Sequence, residues 1–310
     1  MLFTGTLCGH EQAMCGIIGL LIKNSEQRVH LGEWMTPMLV GMTERGPDSA
    51  GMAVFTEAVP QLRRKLSLYC ADPSFNWRSL HCVLEAHFAP LTCELKANHA
   101  VLTLGADPTE VRGWLVREYP QVHVLCVGRA IDLYKDVGLP AQIAERYGFA
   151  SLRGTHLVGH TRMATESAVT PENAHPYTAG EDWCLVHNGS LANPFSLKRR
   201  LEKERIHFES DCDTEAACRY IEWRLREGDN LEAALQRAFE DFDGFYTLLM
   251  GTADKLALVR DPFACKPAVV AETDDYVAIA SEFRSLAHLP RIKEARLFEP
   301  KPAEIYSWSI

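Results

Sequence analysis

The final third of the chain constrains the fold most strongly, because short apolar segments alternate there with breaks at Gly, Asp or Pro. Four such segments are FYTLLMGT (245–252), KLALVRD (255–261), PAVVAE (267–272) and YVAIASE (276–282). This spacing predicts neighbouring strands of an antiparallel sheet. Two segments with helical periodicity, 214–226 and 231–242, precede them. We therefore expect an α+β protein.

The beginning of the chain adds strands and one helix. CGIIGLLI (15–22) predicts a short buried strand, whereas residues 1–14 show no structural pattern. Thr36-Pro37 is typical of a helix cap followed by proline in the first turn, and this helix is expected to end near Gly46-Pro47. GMAVF (51–55) predicts a second strand.

The segment from about residue 60 to 150 differs in character and is predicted to be an insertion. Within it, HAVLTL (99–104) and QVHVLCV (121–127) indicate strands. Between them, residues 108–119 carry apolar side chains at helical spacing. The insertion is therefore expected to contain a βαβ-like unit.

Composition excludes several classes of function. The chain of 310 residues has 47% hydrophobic residues, enough for a sizeable core, and a formal net charge of −9, which argues against binding to nucleic acid or anionic membranes. Ten cysteines show no CxxC pair or zinc-ligand spacing, so we expect no metal and a reducing, cytoplasmic location. No secretory signal or long apolar run is present, which predicts a soluble protein.

Polar motifs beside apolar strands are the candidate functional sites, because loops at strand ends usually display reactive groups. They are Met14-Cys15-Gly16, RGPDSAG (45–51), GHTRMAT (159–165), NAHP (173–176), and HNGSL (187–191) followed by DTE (213–215). Each is weak alone. A cysteine beside glycine is commonly a small core residue, and HNG is commonly a tight turn.

Taken together and in this order, the motifs resemble those of the class II glutamine amidotransferases, a branch of the N-terminal-nucleophile hydrolases. The resemblance implies a four-layer αββα sandwich of two antiparallel sheets. It also implies that Cys15, exposed as the first residue of the mature chain, is the nucleophile. The α-amine of such a residue, with a pKa of about 7.7–8.0, can act as the base for its own thiol.

Residues 1–14 conflict with this chemistry, because an amide nitrogen at Cys15 cannot act as a base. Two explanations remain open from the sequence. The segment is a propeptide that is removed, or translation starts at Met14 and removal of methionine exposes Cys15. In either case residues 15–310 form the amidotransferase domain.

The resemblance also implies roles for the other motif residues. Arg162 corresponds to the arginine that pairs with the α-carboxylate of glutamine, and Thr165 adds a hydroxyl nearby. Asp213 corresponds to the residue that holds the substrate ammonium group. Asn188 and Gly189 correspond to the oxyanion hole.

Three further motif residues are expected to brace the site without touching substrate: Arg45, Asp48 and His175. A Gly-Pro-Asp turn chiefly fixes backbone geometry, which favours this interpretation for the first two. The sequence departs from the family at Cys212, where serine or threonine is commoner, and at Glu166. His156 and His160 have a spacing compatible with a zinc-binding helix, but the adjacent Gly and Thr residues favour a strand and structural histidines.

Three stretches indicate the subgroup: 128–148, 154–176 and 260–282. They resemble the stand-alone, glutamate-synthase-like subunits of the N-methylglutamate synthase type. This implies partner subunits similar to the other domains of glutamate synthase, with a flavin in a partner and no cofactor in this chain. Two alternatives are a glutamine-binding regulatory or assembly subunit with little turnover, and a hydrolase of a different amide. Arg162 and Asp213 together disfavour the latter because they suit an α-amino acid.

Overall fold

The computed structural model describes residues 15–163 and 169–310, which contain strands in three sheets and helices on their faces. The strands are β1 (Gly16–Ile22), β2 (Ser49–Phe55), β3 (Arg64–Cys70), β4 (Leu91–Lys96), β5 (His99–Leu104), β6 (Val122–Gly128), β7 (Ile131–Val137), β8 (His156–Arg162), β9 (Tyr177–Thr178), β10 (Trp183–Leu191), β11 (Gly244–Thr252), β12 (Lys255–Arg260), β13 (Val269–Glu272), β14 (Tyr276–Ala280), β15 (Arg296–Phe298) and β16 (Ile305–Ser309).

The α-helices are α1 (Leu31–Gly41), α2 (Trp77–Phe88), α3 (Pro108–Glu118), α4 (Pro140–Arg146), α5 (Pro194–Lys203), α6 (Asp213–Arg226) and α7 (Leu231–Asp241). Short 3-10 turns span Ser25–His30, Phe149–Ser151, Phe283–Ser285 and Ile292–Glu294. The leader, 1–14, and Thr165 lie outside the described residues.

Two antiparallel sheets form the body of the protein. One has seven strands in the order β15-β13-β14-β1-β8-β2-β7, and the other has five in the order β16-β12-β11-β10-β9. Separate apolar clusters lie between α1 and α4 and the first sheet, between the two sheets, and between the second sheet and α5 to α7. These clusters define four layers, so the predicted αββα sandwich is confirmed.

Alternation along the strands determines which side chains face the space between the sheets. In β1, Ile17 and Leu21 belong to the cluster between the sheets, whereas Ile18 and Leu20 pack toward α1. By the same alternation, the residue that precedes β1, Cys15, is directed to the inter-sheet side. The first strand therefore positions the predicted nucleophile at the edge of this inner layer.

The apolar segments of the final third are strands, as predicted, but they divide between the two sheets. β11 and β12 pair with each other in the five-stranded sheet, while β13 and β14 pair in the seven-stranded sheet. The sequence-based expectation of neighbouring strands in one sheet was wrong. β11, β12 and β14 are mostly buried because both faces of each sheet are covered, and such strands carry no signal of sheet membership.

The predicted start of the first helix was also wrong. Helix α1 begins at Leu31, with Pro37 in its interior. The Thr36 hydroxyl donates a hydrogen bond to the Gly32 carbonyl at 2.8 Å, one turn earlier, and does not cap a helix. Burial of Met35, Met38 and Leu39 against the sheet outweighs the loss of one helix hydrogen bond at proline.

A separate four-stranded unit spans 64–128, within the range predicted as an insertion. Its strand order is β4-β5-β3-β6, and all pairings are antiparallel. The strands of the predicted βαβ pattern, β5 and β6, are therefore parallel to each other with β3 between them. The succession β3-α2-β4-β5-α3-β6 is the ferredoxin-like arrangement of two split βαβ units. The next strand, β7, returns to the seven-stranded sheet beside β2.

Asp182 fixes the point at which the chain leaves the four-stranded unit. Its carboxylate accepts hydrogen bonds from the backbone N–H groups of Arg129, Ala130 and Ile131 at 2.7–3.0 Å. The Ser67 hydroxyl of β3 accepts a further bond from the Leu133 N–H at 3.0 Å. These contacts connect the unit to both sheets of the sandwich.

Candidate active site

Cys15 lies where two central strands of the seven-stranded sheet meet. Gly16 pairs with Thr161 in the β1–β8 ladder, which places Cys15 beside Arg162 at the end of β8. A Cβ atom at position 16 would lie 2.7 Å from the Thr161 hydroxyl oxygen and 2.9 Å from the Met42 Cβ. Glycine after the cysteine is therefore required for this close packing.

Two residues of the RGPDSAG motif hold the backbone of Cys15 and of Arg162. The Arg45 guanidinium donates to the Cys15 carbonyl oxygen at 3.1 Å and to the Glu282 carboxylate at 2.8 Å. The Asp48 backbone N–H donates to the Arg162 carbonyl oxygen at 3.1 Å. Glu282 was not identified from the sequence, because a lone acidic residue at a strand end carries no signal of its partner.

Burial is the main influence on the Cys15 thiol. Desolvation raises the pKa of the thiol above its ordinary value, and the nearby Cys212 raises it further. A hydrogen bond from the Met163 backbone and the positive charges of Arg162 and Arg45 act in the opposite direction without cancelling the effect. At neutral pH the group is thus a protonated thiol that needs a base before it can attack.

Asn188 and Gly189 lie on β10, in the five-stranded sheet. Asn188 has the same parity as Val186, which packs between the sheets, so its side chain is directed toward the same layer as Cys15. Its Nδ2 is buried and has no hydrogen-bond partner within the described residues. An unused buried donor is costly, which makes it a candidate for binding an oxygen of a ligand.

Gly189 has a backbone conformation that requires glycine. Its φ is 142°, and a Cβ atom there would lie 1.9 Å from the Phe245 carbonyl oxygen on β11. Only a residue without a side chain can hold the backbone N–H in this orientation.

Asp213 is the first residue of α6 and lies against the end of β10. Its Oδ2 accepts a hydrogen bond from the Leu191 N–H at 2.9 Å, and its Oδ1 lies 3.6 Å from His187 Nδ1. Burial alone would raise the pKa of the carboxyl group, but His187 and hydrogen bonds from the Leu191 and Thr214 backbone lower it well below its ordinary value. The carboxylate is therefore ionised and able to bind a cation.

His175 lies in a group of buried histidines with His160 and His187. The His175 and His160 rings stack with centroids 4.1 Å apart. Burial lowers the pKa of both, that of His160 to about 3, so both rings are neutral. Sequence reasoning missed the connection of His187 and Thr214 to the site, although each adjoins a motif residue.

Close packing accounts for the glycine at position 51 of the RGPDSAG motif. A Cβ atom at this position would lie 2.2 Å from the His175 carbonyl oxygen. The segment that carries His175 can therefore approach β2 only because residue 51 is glycine.

A cavity of about 520 Å³ lies between the four-stranded unit and the sandwich. Lys135, Tyr177, Ser210 and Glu215 contribute to its walls, whereas Cys15, Arg162, Asn188 and Asp213 do not. Among the described residues, no group of three or more His, Cys, Asp or Glu side chains is arranged to hold a metal ion. None of the described helices has the length and apolar character needed to cross a membrane.

Comparisons with known proteins identify the family. A model of the glutamine amidotransferase domain matches residues 160–288. The glutamine amidotransferase-like protein GlxB of Rhizobium meliloti (strain 1021) is 45% identical over 296 residues, which cover 95% of this chain and 98% of GlxB. The chain belongs to the class II glutamine amidotransferases. The resemblance inferred from the motifs, and the enzyme class that it implied, are thereby confirmed.

More distant relatives share only part of their length with this amidotransferase. A glutamine–fructose-6-phosphate aminotransferase of Pyrobaculum aerophilum is 29% identical over 198 residues, which cover 63% of this chain and 32% of that enzyme. The glutamine phosphoribosylpyrophosphate amidotransferase structure from B. subtilis matches 94% of this chain with a TM-score of 0.57 at 18% identity. The match covers 47% of that chain and shows the same sandwich fold.

Proposed function

We propose that this amidotransferase hydrolyses L-glutamine to glutamate and ammonia through a thioester on Cys15. The observation that supports the proposal is that Cys15, before β1, and Asn188, on β10, both face the layer between the two sheets. Cys15 and Arg162 come from the seven-stranded sheet, and Asn188 comes from the five-stranded sheet with its donor unused. Asp213 supplies an ionised carboxylate beside β10.

Substrate recognition requires opposite charges for the two ends of the amino acid. Arg162 would pair with the α-carboxylate, since a planar guanidinium suits bidentate binding. Asp213 would bind the α-ammonium group. Thr165 is proposed to add a hydroxyl contact near Arg162. Arg45, Asp48 and His175 would act indirectly, by holding the backbone of Cys15 and Arg162 and the side chain of Thr214.

The reaction would begin with transfer of the thiol proton to the α-amine of Cys15. The thiolate then adds to the side-chain amide carbon, and the resulting oxyanion is bound by Asn188 Nδ2 and the Gly189 N–H. The proton passes from the α-amine to the leaving nitrogen, which departs as ammonia. Water then hydrolyses the glutamyl thioester and releases glutamate with the thiol restored.

A free α-amine at Cys15 is essential for this sequence of steps. The raised pKa of the thiol makes an adjacent base more important, because little thiolate forms without one. We therefore propose that residues 1–14 are absent from the active protein. Intact mass of the natively produced chain tests this: a chain that begins at Cys15 supports the enzyme, whereas one that begins at Met1 supports the glutamine-binding alternative.

Replacement of the nucleophile tests the chemistry. We expect Cys15→Ala to abolish release of glutamate from glutamine while the unfolding transition is unchanged. Cys15→Ser should retain binding of glutamine with greatly reduced turnover, since a serine hydroxyl is a poorer nucleophile at neutral pH. Full glutaminase activity in Cys15→Ala would contradict the proposed mechanism.

We further propose that the ammonia is used by partner subunits of a glutamate-synthase-like or N-methylglutamate synthase complex. Support comes from the stretches 128–148, 154–176 and 260–282, which resemble the stand-alone subunits of such complexes. The flavin would be held by a partner. Affinity purification of the tagged chain from its own cells tests this, because flavin absorbance and glutamate-synthase-like chains should co-purify.

The cellular location and the classes of partner that the protein does not bind are also proposed from the sequence. The formal net charge of −9 disfavours nucleic acid and anionic membranes as partners. A cytoplasmic location is consistent with the cysteines of the described residues, all of which are free thiols. Cell fractionation with detection of the chain would test the location.

A further inference from the structure

Three polar side chains lie within hydrogen-bond distance of the Thr214 hydroxyl, next to the proposed glutamine site. His175 Nε2 lies 2.9 Å from Thr214 Oγ1, and His187 Nδ1 lies 3.1 Å from the same oxygen. The hydroxyl also lies 3.3 Å from Asp213 Oδ1. Thr214 itself is only 1% exposed, so water has little access to this hydroxyl.

The direction of each hydrogen bond follows from the number of protons available. A hydroxyl has one proton and two lone pairs. The ionised Asp213 carboxylate can only accept, so the hydroxyl proton is directed to Asp213. The two lone pairs are then left for N–H groups of His175 and His187. This arrangement strengthens the hydroxyl as a donor, because hydrogen bonds in a chain polarise one another.

The second oxygen of Asp213 is tied to the strand that carries the proposed oxyanion hole. Its Oδ2 accepts from the Leu191 N–H, at the end of β10. With Thr214 on one oxygen and Leu191 on the other, the carboxylate has little freedom to rotate. Its position relative to Asn188 and Gly189 is therefore fixed.

The histidines connect this group of hydrogen bonds to the seven-stranded sheet. His160 Nε2 donates to the His187 carbonyl oxygen at 3.0 Å, and the His160 ring stacks on His175. His160 lies two residues before Arg162 on β8. Apolar packing between sheets is non-directional, whereas the hydrogen bond from His160 to the His187 carbonyl defines a specific offset between β8 and β10.

We propose that Thr214 is a positioning residue that, with His160, His175 and His187, sets the location of Asp213 relative to Arg162 for recognition of the substrate α-ammonium group. This inference rests on the proposed function, which assigns the two charged ends of glutamine to Arg162 and Asp213. It predicts that loss of the Thr214 hydroxyl affects only substrates that carry an α-ammonium group.

Two substrates separate a positioning role from a general structural one. L-Glutamine has the α-ammonium group, and glutaramate has the same side-chain amide and carboxylate without it. For Thr214→Val we expect kcat/KM for glutamine to fall about tenfold or more, mainly through KM, as a carboxylate loses one strong hydrogen bond. In the same variant, kcat/KM for glutaramate should stay within about twofold of the wild-type value.

Matched variants control for other effects. Thr214→Ser retains the hydroxyl and should restore kcat/KM for glutamine. Thr36→Val removes a hydroxyl that bonds within α1, away from the site, and should leave both substrates unaffected. If Thr214→Val does not fold, Thr214→Ala applies the same comparison with a smaller side chain.

Two results would overturn the proposal: equal losses of kcat/KM on glutamine and glutaramate, or no loss on either. Failure of the proposed function is a distinct outcome, because it would appear as glutamine hydrolysis by Cys15→Ala whatever the behaviour of the Thr214 variants. The pH profile gives an independent readout. Loss of a hydrogen bond to the carboxylate should raise the pKa of Asp213, which would shift the acidic limb of kcat/KM for glutamine to higher pH.

Discussion

Replacement of Asn188 by leucine should have opposite effects on turnover and on stability. The side chain is 2% exposed, and Nδ2 has no hydrogen-bond partner within the described residues. A buried donor left without a partner costs about 1–3 kcal/mol, so an apolar side chain of similar volume relieves that cost. We therefore expect the free energy of unfolding of Asn188→Leu to equal or exceed that of wild type.

Turnover should fall sharply in the same variant. Loss of one oxyanion-hole donor typically lowers kcat about 100-fold to 1000-fold, equivalent to about 3–4 kcal/mol. KM for glutamine should change little, because the donor acts on the oxyanion and not on the ground-state amide. Glutamate release under steady-state conditions measures both constants, and urea unfolding followed by circular dichroism measures stability.

Asn193 provides a matched control with the opposite expectation. Its Nδ2 donates to the Asp241 carbonyl at 3.0 Å, and its Oδ1 accepts from the Asp243 N–H at 3.2 Å. Asn193→Leu should therefore lower stability and leave kcat unchanged. Retention of kcat within about tenfold in Asn188→Leu would contradict an oxyanion role for Nδ2. A loss of more than about 2 kcal/mol of stability would show that Nδ2 has a structural partner.

Further predictions concern packing, pH and the junction of the four-stranded unit. Gly51→Ala should lower the free energy of unfolding by about 1–3 kcal/mol in urea titrations, because its Cβ would lie 2.2 Å from the His175 carbonyl oxygen. Gly113→Ala, at an exposed helical position with no atom within 4 Å of the new Cβ, should instead raise stability by up to about 1 kcal/mol. Burial lowers the pKa of His156 from 6.5 to about 4, so the unfolded chain binds a proton first as the pH falls. His156 should therefore contribute a decline in stability of up to about 1.4 kcal/mol per pH unit between these values, and His156→Gln should reduce the slope by that amount while His160 and His175 still contribute. Asp182→Ala removes the acceptor for three backbone N–H groups and should cost about 2–4 kcal/mol, whereas a loss below about 0.5 kcal/mol would contradict the role given to this carboxylate.

The sequence predicted those parts of the fold whose signal is local. β1, α6 and α7 follow from apolar periodicity, and their observed bounds agree closely with the expected ones. The edge strand β4 was missed because half of its side chains are exposed and the strand is mixed in polarity, so it lacks an apolar run. The start of α1 was misplaced because Thr36-Pro37 is a local signal that burial of the helix against the sheet outweighs.

For the candidate site, motifs identified residues but not the contacts between them. Cys15, Arg162 and Asn188 could be named from the order of the motifs, and strand parity then explains why they face one layer. The Arg45–Glu282 pair joins positions 237 residues apart, and no sequence pattern links them. The bonds of His175 and His187 to Thr214 depend on how α6 packs against the five-stranded sheet, a tertiary relation that spacing along one chain does not contain.

The pairing of β2 with β7 marks a position where residues can be inserted or removed without changing the sheet. Phe55 and Ile131 face each other in this antiparallel ladder, so the two ends of the intervening segment are neighbours. A tight turn could join these strands directly, and the four-stranded unit therefore occupies the place of a hairpin loop. The four-stranded unit can therefore change in sequence or size, or bind a new partner, without altering the register of the strands that carry Cys15 and Arg162.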